Sequence, residues 1–447
     1  MCFLAFLCAG CRGGDDTKHK PEPRASNPPP NILFITIDTL RADYVGKIGN
    51  KPITPIMDQV ANNGVLFTRC ISAESITGPS IASIMTGIMP HRIDVQYNAV
   101  TLHDKLFTLA EILSFGGYET AGFPGASLVS SDYGFDQGFD AFVESFDRTQ
   151  FETNYWRAAE PVTDDVLKWI QGRDASKPFF MWVHYFDPHA PYNAHYGERA
   201  GESYTYEELY KLYIAQDPAR VDAEINDILN FYAQEVYYTD QQIGRIIQYL
   251  QMNALLDNTM IVITADHGEE LFMHDLFHGH GRTLNDIVLN VPLIIRFPHR
   301  RYAGRRVDSV VRTIDIFPTI LGQAGRGVPE PVQGRSLFPL ATGAEKGVRT
   351  AFSIREPIAF YQDGHAASMT TAEWKYIYFH NGPGRLFHIV EDPGEFTDLS
   401  KLYPDIEKRM KNSIFENIFN DPGYIHPVEP ELSGVDRRLL NELGYIR

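Results

Sequence analysis

Cysteine is scarce in this sequence: there are four in 447 residues, and Cys2, Cys8 and Cys11 all fall at the very start. The remaining body has the single thiol Cys70, so a disulfide framework is excluded there. No apolar run of the roughly 18 residues needed to span a bilayer occurs. Basic residues are outnumbered, 40 Lys+Arg against 57 Asp+Glu, giving a net charge of −17. A nucleic-acid partner needs a basic footprint and is therefore not expected. Gly 35 and Pro 28 are too few for a collagen-like or wholly low-complexity chain, and no internal repeat is evident. Hydrophobic residues make up 44%. At this length a single small core is excluded, and two lobes or one large α/β body with an appendage are expected.

The first eleven residues, MCFLAFLCAGC, form a short apolar stretch ending in Ala9-Gly10-Cys11. They resemble a bacterial lipoprotein signal with Cys11 as the lipidated residue, although a basic n-region is missing and Cys8 stands where leucine is usual. Residues 12–30 are Pro-, Gly- and charge-rich and read as a solvated tether. The implied location is the bacterial cell envelope, as a periplasmic or outer-membrane lipoprotein held to the membrane through Cys11.

From Asn31 onward, apolar runs alternate with segments of helical spacing. Strands are expected at 31–37, 118–123, 178–185, 260–264 and 291–297. Helices are expected at 56–64, 106–116, 162–170 and within 203–252. This alternation predicts an α/β fold, a large mostly parallel sheet sandwiched by helices, over 31–335. Short strands at 351–354 and 374–379 then predict a smaller C-terminal antiparallel sheet with a helix over 336–447.

Three strand ends carry metal-type ligands: Asp38, Asp187 with His189, and Asp266-His267. A lone strand-end Asp is usually a turn former or cap. Three at the carboxyl edge of one parallel sheet converge, and carboxylates with imidazole suit Ca, Mg, Mn or Zn. A second collection is Thr77-Gly78-Pro79-Ser80 through Gly87, a loop entering a helix with Ser80 as expected N-cap and Gly87 as C-cap. A hydroxyl at a helix mouth also faces an anion site.

Taken in order, these motifs resemble the sulfatase family of the alkaline phosphatase superfamily. They comprise Asp38, Thr77-x-Pro-Ser with Thr86-Gly87, Asp187-Pro188-His189-x-Pro191-Tyr192 and Asp266-His267-Gly268. Gly134-Phe135-Asp136, Asp392-Pro393-Gly394-Glu395 and Leu443-Gly444-Tyr445-Ile446 extend the likeness. The resemblance implies a metal-dependent hydrolase of sulfate or phosphate esters. Its metal would be held by Asp38, Thr77, Asp266 and His267, with a second site at Asp187, His189 and His280 as an open alternative. It also implies that Thr77 attacks, that His280 acts as leaving-group acid or anion binder, and that His189 binds an ester oxygen.

The departures bear on the reaction. Sulfatases place at position 77 a Cys or Ser that becomes formylglycine, and at 81 an Arg; here Thr77 and Ile81 stand instead, and no formylglycine is expected. A threonine sulfate lacks the second hydroxyl that expels sulfate, so Thr77 favours phosphoester or phosphodiester substrates. Thr39 occupies the place of a second metal-binding aspartate. The substrate is an anionic ester of a glycan, a lipid head group or a small molecule. The competing expectation is a catalytically degenerate, lipid-anchored binding protein of the same fold. His184 reads as a core histidine, Glu269-Glu270 as a solvated helix start, and Arg41 and Arg92 as surface pairs.

Overall fold

A computed structural model describes residues 29–146, 155–274, 278–347, 349–356 and 364–425, together with 433, 434, 436, 437 and 440. The expected signal at 1–11, most of the tether at 12–30 and the Leu443–Ile446 motif lie outside the described residues.

The chain builds two sheets and a short hairpin. Nine strands form the main sheet: β1 (Asn31–Ile37), β2 (Val65–Ile71), β3 (Glu119–Pro124), β4 (Ala141–Phe142) and β5 (Phe179–Tyr185) come first. The hairpin β6 (Tyr192–Asn193) and β7 (Ser203–Tyr204) follows, and then β8 (Thr259–Ala265), β9 (Asn290–Arg296), β10 (Arg305–Val307) and β11 (Val311–Arg312) rejoin the sheet. The order is β10-β2-β9-β8-β1-β5-β3-β4, with β11 also on β2. All pairings are parallel except those of β9, which runs antiparallel to β2 and β8. The run at 291–297 is therefore an antiparallel member of an otherwise parallel sheet.

Every residue of β1, β5 and β8 is buried. Helices cover both faces of the sheet, which is why these strands read as continuous apolar runs rather than alternating ones. In register, Ile37 lies beside both Tyr185 and Ala265. The three central strands thus end at one level, and the residues that follow them emerge together.

Four antiparallel strands make the smaller sheet: β12 (Ala351–Arg355), β13 (Ala366–Thr370), β14 (Trp374–Phe379) and β15 (Arg385–His388). Alternation splits its faces. Ala366, Ile377 and Phe387 pack on Ile71, Leu284 and Leu289 of the body, whereas Ala367, Tyr376 and Leu386 pack on Met410 and Ile414 of the helix Pro404–Ile414. Wholly buried Lys375 joins the two parts, with Nζ 2.6 Å from Asp286 Oδ1 and 3.1 Å from Glu395 Oε1. Glu395 also accepts the Asp286 N–H at 2.7 Å. Replacing Lys375 by alanine strands both carboxylates, so urea unfolding should show a loss of about 3–5 kcal/mol.

Candidate active site

The site forms at the carboxyl ends of β1, β5 and β8, where Asp38, the loop after Tyr185 and Asp266-His267 emerge. Asp38, Asp266 and His267 each offer a ligand atom within 4.8 Å of the others, and all three are buried. Asp38 Oδ1 and Asp266 Oδ2 have no hydrogen-bond partner among the described residues. Two buried acids with bare oxygens fit a cation between them, because such groups are stable only when paired, hydrogen-bonded or coordinated. Burial works against charge on Asp38, but His184, His189 and His267 outweigh it and hold its pKa below the usual range. Burial and the Asp38 charge push Asp266 up to about 6.

His267 Nδ1 lies 3.0 Å from the Gly268 carbonyl, which can only accept, so that nitrogen carries the proton. The bare Nε2 is left 3.4 Å from Asp266 Oδ2 and 3.3 Å from Thr77 Oγ1, which suits a metal ligand. Gly268 is required at this turn, since a Cβ there would meet the Ile287 carbonyl at 2.5 Å.

Thr77 opens the helix Thr77–Thr86, all ten residues of which are buried. Its Oγ1 lies 3.4 Å from Asp38 Oδ2. Ser80 is not the N-cap; Ile76 takes that position, and the helix begins one turn earlier than expected. The Ser80 hydroxyl instead donates to the Asp266 carbonyl at 2.8 Å, and Ser72 does the same at 2.5 Å. Thr77 and Asp266 are thereby fixed to one another through the helix. Gly87 is the left-handed C-cap, at φ 72°.

His280 and His189 flank this group: the ring centroid of His280 is 4.3 Å from that of His267 and 5.0 Å from that of His189. His280 Nδ1 meets Glu269 Oε1 at 3.0 Å, and Tyr192 donates to Glu269 Oε2 at 3.1 Å. Burial and the neighbouring imidazoles hold His280 well below its ordinary pKa, while burial raises Glu269 well above its own, so the pair shares one proton. Glu269 is thus a buried partner of His280 rather than part of a solvated helix start. Glu270 is also buried and takes His274 Nδ1 at 2.8 Å. His189 Nδ1 is 2.8 Å from the Ala190 carbonyl and 2.5 Å from the Tyr206 hydroxyl.

His184 sits nearer the chemistry than a core histidine would. Its Nδ1 is 2.9 Å from Thr36 Oγ1, which also accepts the Trp182 indole N–H, and its Nε2 is 3.7 Å from Asp38 Oδ2. Strand alternation could not reveal this, because β5 is covered on both faces. Asp187, by contrast, is turned away. Its Oδ1 accepts the Ala159 N–H at 2.9 Å, and its charged neighbours are Glu235 and His195. Among the described residues the second metal set Asp187, His189 and His280 does not bring its ligand atoms within 4.8 Å of one another. Thr39, at φ 53°, is strained for a β-branched residue; its N–H reaches Asp266 Oδ1 at 3.3 Å.

The two arginines serve the frame. Arg41 is buried, pairing with Asp43 at 2.9 Å and donating to the carbonyls of Glu269 and Glu270. Arg92 grips Asp421 with two 2.6 Å bonds. Burial opposes the Asp421 charge, but Arg92, the Gly423 N–H and His91 hold its pKa down at about 2. A depressed carboxylate stabilises the fold above its ordinary value of 3.8, and that stability is lost as pH falls toward 2. The urea midpoints of wild type and Asp421→Asn should therefore differ at pH 5 and converge near pH 2. Cys70 is buried and free, and among the described residues no helix is long and apolar enough to cross a membrane.

Comparison with known proteins follows the same outline. The Sulfatase family model matches residues 30–326, and the model described as N-sulphoglucosamine sulphohydrolase, C-terminal, matches 274–419. An N-acetylglucosamine-6-O-sulfatase of Bacteroides thetaiotaomicron is 26% identical, with 92% of this chain and 90% of the relative aligned. A structure solved in complex with its substrate D-glucosamine-2-N,6-O-disulfate superposes with TM-score 0.75 at 23% identity, over 89% of this chain and 100% of the other. The phosphonate monoester hydrolase of Agrobacterium radiobacter gives TM-score 0.71 at 21% identity, over 87% and 95%. At these identities the two structures show a shared fold.

Proposed function

Because this chain belongs to the sulfatase family, we propose that it hydrolyses sulfate or phosphate esters, with Thr77 Oγ1 as the attacking atom. The observation that carries the reading is one hydroxyl, at the start of a wholly buried helix, within 3.4 Å of Asp38 and 3.3 Å of His267. The sulfatase activity named for the Bacteroides relative supports the ester class. Asp38, Asp266, His267 and Thr77 would hold the divalent cation. Bound there, it would lower the pKa of the threonine hydroxyl and offset the charge of the ester.

The chain's own groups do the rest. The ester's anionic oxygens sit against the helix N-terminus and His189. Thr77 passes its proton to Asp38 Oδ2, which its hydroxyl faces at 3.4 Å, as its oxygen bonds to the central atom; the bond to the alcohol oxygen breaks, and that oxygen takes a proton from the His280–Glu269 pair. Water then attacks the threonine ester: its hydroxyl stays on the released acid, its other proton goes to the His280–Glu269 pair, and the Thr77 oxygen leaves and takes its proton back from Asp38. A threonine phosphate can be opened by in-line water attack, whereas a threonine sulfate lacks the second hydroxyl of a formylglycine hydrate. Phosphoesters and phosphodiesters are accordingly the favoured class, carried by a glycan, a lipid head group or a small molecule.

The test is a parallel measurement of kcat/KM on aryl sulfate, phosphate monoester, phosphodiester and phosphonate ester. The expected result is a phosphorus ester fastest, by at least about tenfold, a difference of about 1.4 kcal/mol in transition-state binding. A faster aryl sulfate would overturn the argument from threonine. The Met1–Cys11 stretch supports placement at the cell envelope, and Cys11→Ser should release the protein from membranes in fractionated cells.

A further inference from the structure

Beside the ester site, the loop after β5 lines a cavity of about 70 Å³. One water needs only about 10–15 Å³, so a larger group fits. Its walls include Trp156, Phe186, Asp187, His189, His195 and Glu235. Phe186 stacks on Trp156 at 5.7 Å and on His189 at 4.4 Å, so the cavity and the ester site share the His189 wall.

The carboxylates of this cavity are unequally satisfied. Glu235 Oε1 accepts both the backbone and side-chain N–H of Asn193 at 2.7 Å, and Oε2 lies 2.6 Å from His195 Nε2. Asp187 Oδ1 caps the helix Ala159–Gly172, but its Oδ2 is buried with no hydrogen-bond partner among the described residues. Asp187 as a whole is 5% exposed. Leaving a buried acceptor unmet costs about 1–3 kcal/mol, so this oxygen marks where a donor is missing.

Charge counting gives the sign of that donor. Asp187 and Glu235 bring two carboxyl groups. Of the two imidazoles in the lining, His195 Nε2 faces Glu235 Oε2 at 2.6 Å and answers that carboxylate, whereas His189 Nδ1 faces the Ala190 carbonyl at 2.8 Å. The Asp187 carboxylate is left without a basic hydrogen-bond partner among the lining residues. Burial and the nearby Glu235 accordingly push Asp187 up to about 7. Among the described residues, only Asp38, Asp266 and His267 bring three ligand atoms within 4.8 Å, so this cavity offers no compact metal sphere. Aromatic faces beside an unbalanced carboxylate suit an organic monocation.

We propose that this cavity is a subsite for a primary ammonium group, held by Asp187 Oδ2 and the Glu235–His195 pair against Trp156 and Phe186. It deepens the hydrolase reading, on which its role in turnover rests: the substrate is an ester whose alcohol carries an amine. Binding of the amine itself is independent of catalysis.

The full-length protein is titrated with methylammonium, and with methanol as the uncharged control, by NMR. Binding should be seen for methylammonium alone and weaken at least tenfold in Asp187→Asn, which keeps the Ala159 cap acceptor. A cooperative urea transition confirms that the variant is folded, and Glu235→Gln serves as a second variant should it unfold. In turnover, 4-(aminomethyl)phenyl phosphate should exceed 4-methylphenyl phosphate at least tenfold in kcat/KM, with the ratio falling toward one in Asp187→Asn. Absence of methylammonium binding, or equal binding by wild type and variant, overturns the subsite even if both esters are hydrolysed. Ammonium binding with neither ester hydrolysed leaves the subsite standing and sinks the hydrolase reading instead.

Discussion

Replacing Thr77 with alanine is expected to lower turnover by roughly 10⁴–10⁶-fold, the scale of losing a nucleophile, while the protein stays folded. The effect is large because it is the Thr77 hydroxyl that reaches both Asp38 and His267. Ser80 and Ser72 lie on the same side, but both donate to the Asp266 carbonyl. Removing the threonine hydroxyl leaves little behind: its contacts to Asp38 and His267 are 3.3–3.4 Å long. Serine at position 77 keeps the attacking oxygen and should retain activity within about a hundredfold, the scale of imperfect positioning. Steady-state kinetics on an aryl phosphate, with urea unfolding of each variant, checks both statements.

Asp266→Asn should produce two effects of opposite sign. Activity should fall by at least about 10³-fold, because the cation loses a carboxylate ligand and Thr77 loses its activation. In metal-free protein the same change should raise the melting temperature. Burial and then the Asp38 charge push Asp266 up to about 6, and its Oδ2 has no donor among the described residues, so a neutral amide relieves both penalties. The sign follows from linkage. A carboxyl whose pKa is raised on folding disfavours the folded state once pH exceeds its ordinary value of 3.8, in full above about 6. Thermal melts in a chelator at pH 7.5 should show the variant above wild type, and added divalent cation should reverse the order. A chelated wild type that melts above Asp266→Asn would remove the case for a cation between these acids.

Much of this was legible in the chain itself. NILFITI, FFMWVHY and TMIVITA are apolar on both faces, which calls for a parallel sheet between helices. Acids at the ends of such strands must then meet at one edge. The antiparallel direction of β9 was not legible, since an apolar run carries no sign of its direction. Ser80 looked like a cap because local spacing favours it, but a long-range carbonyl, that of Asp266, claims its hydroxyl. Glu269 looked solvated because paired glutamates usually are; only the fold brings His280 and Tyr192 against it. Asp187 read as a ligand from its motif, yet the neighbouring helix N-terminus takes one oxygen and turns it from the metal-type group.

The central claim is that Thr77 carries the transferred group. The direct measurement is an acid quench during turnover of an aryl phosphate, followed by peptide mass spectrometry. The account predicts a phosphate mass increment on the peptide containing Thr77, located at Thr77 by fragmentation and lost on longer incubation after substrate is spent. Steady turnover with no increment on that peptide in wild type, together with undiminished turnover in Thr77→Ala, would contradict it.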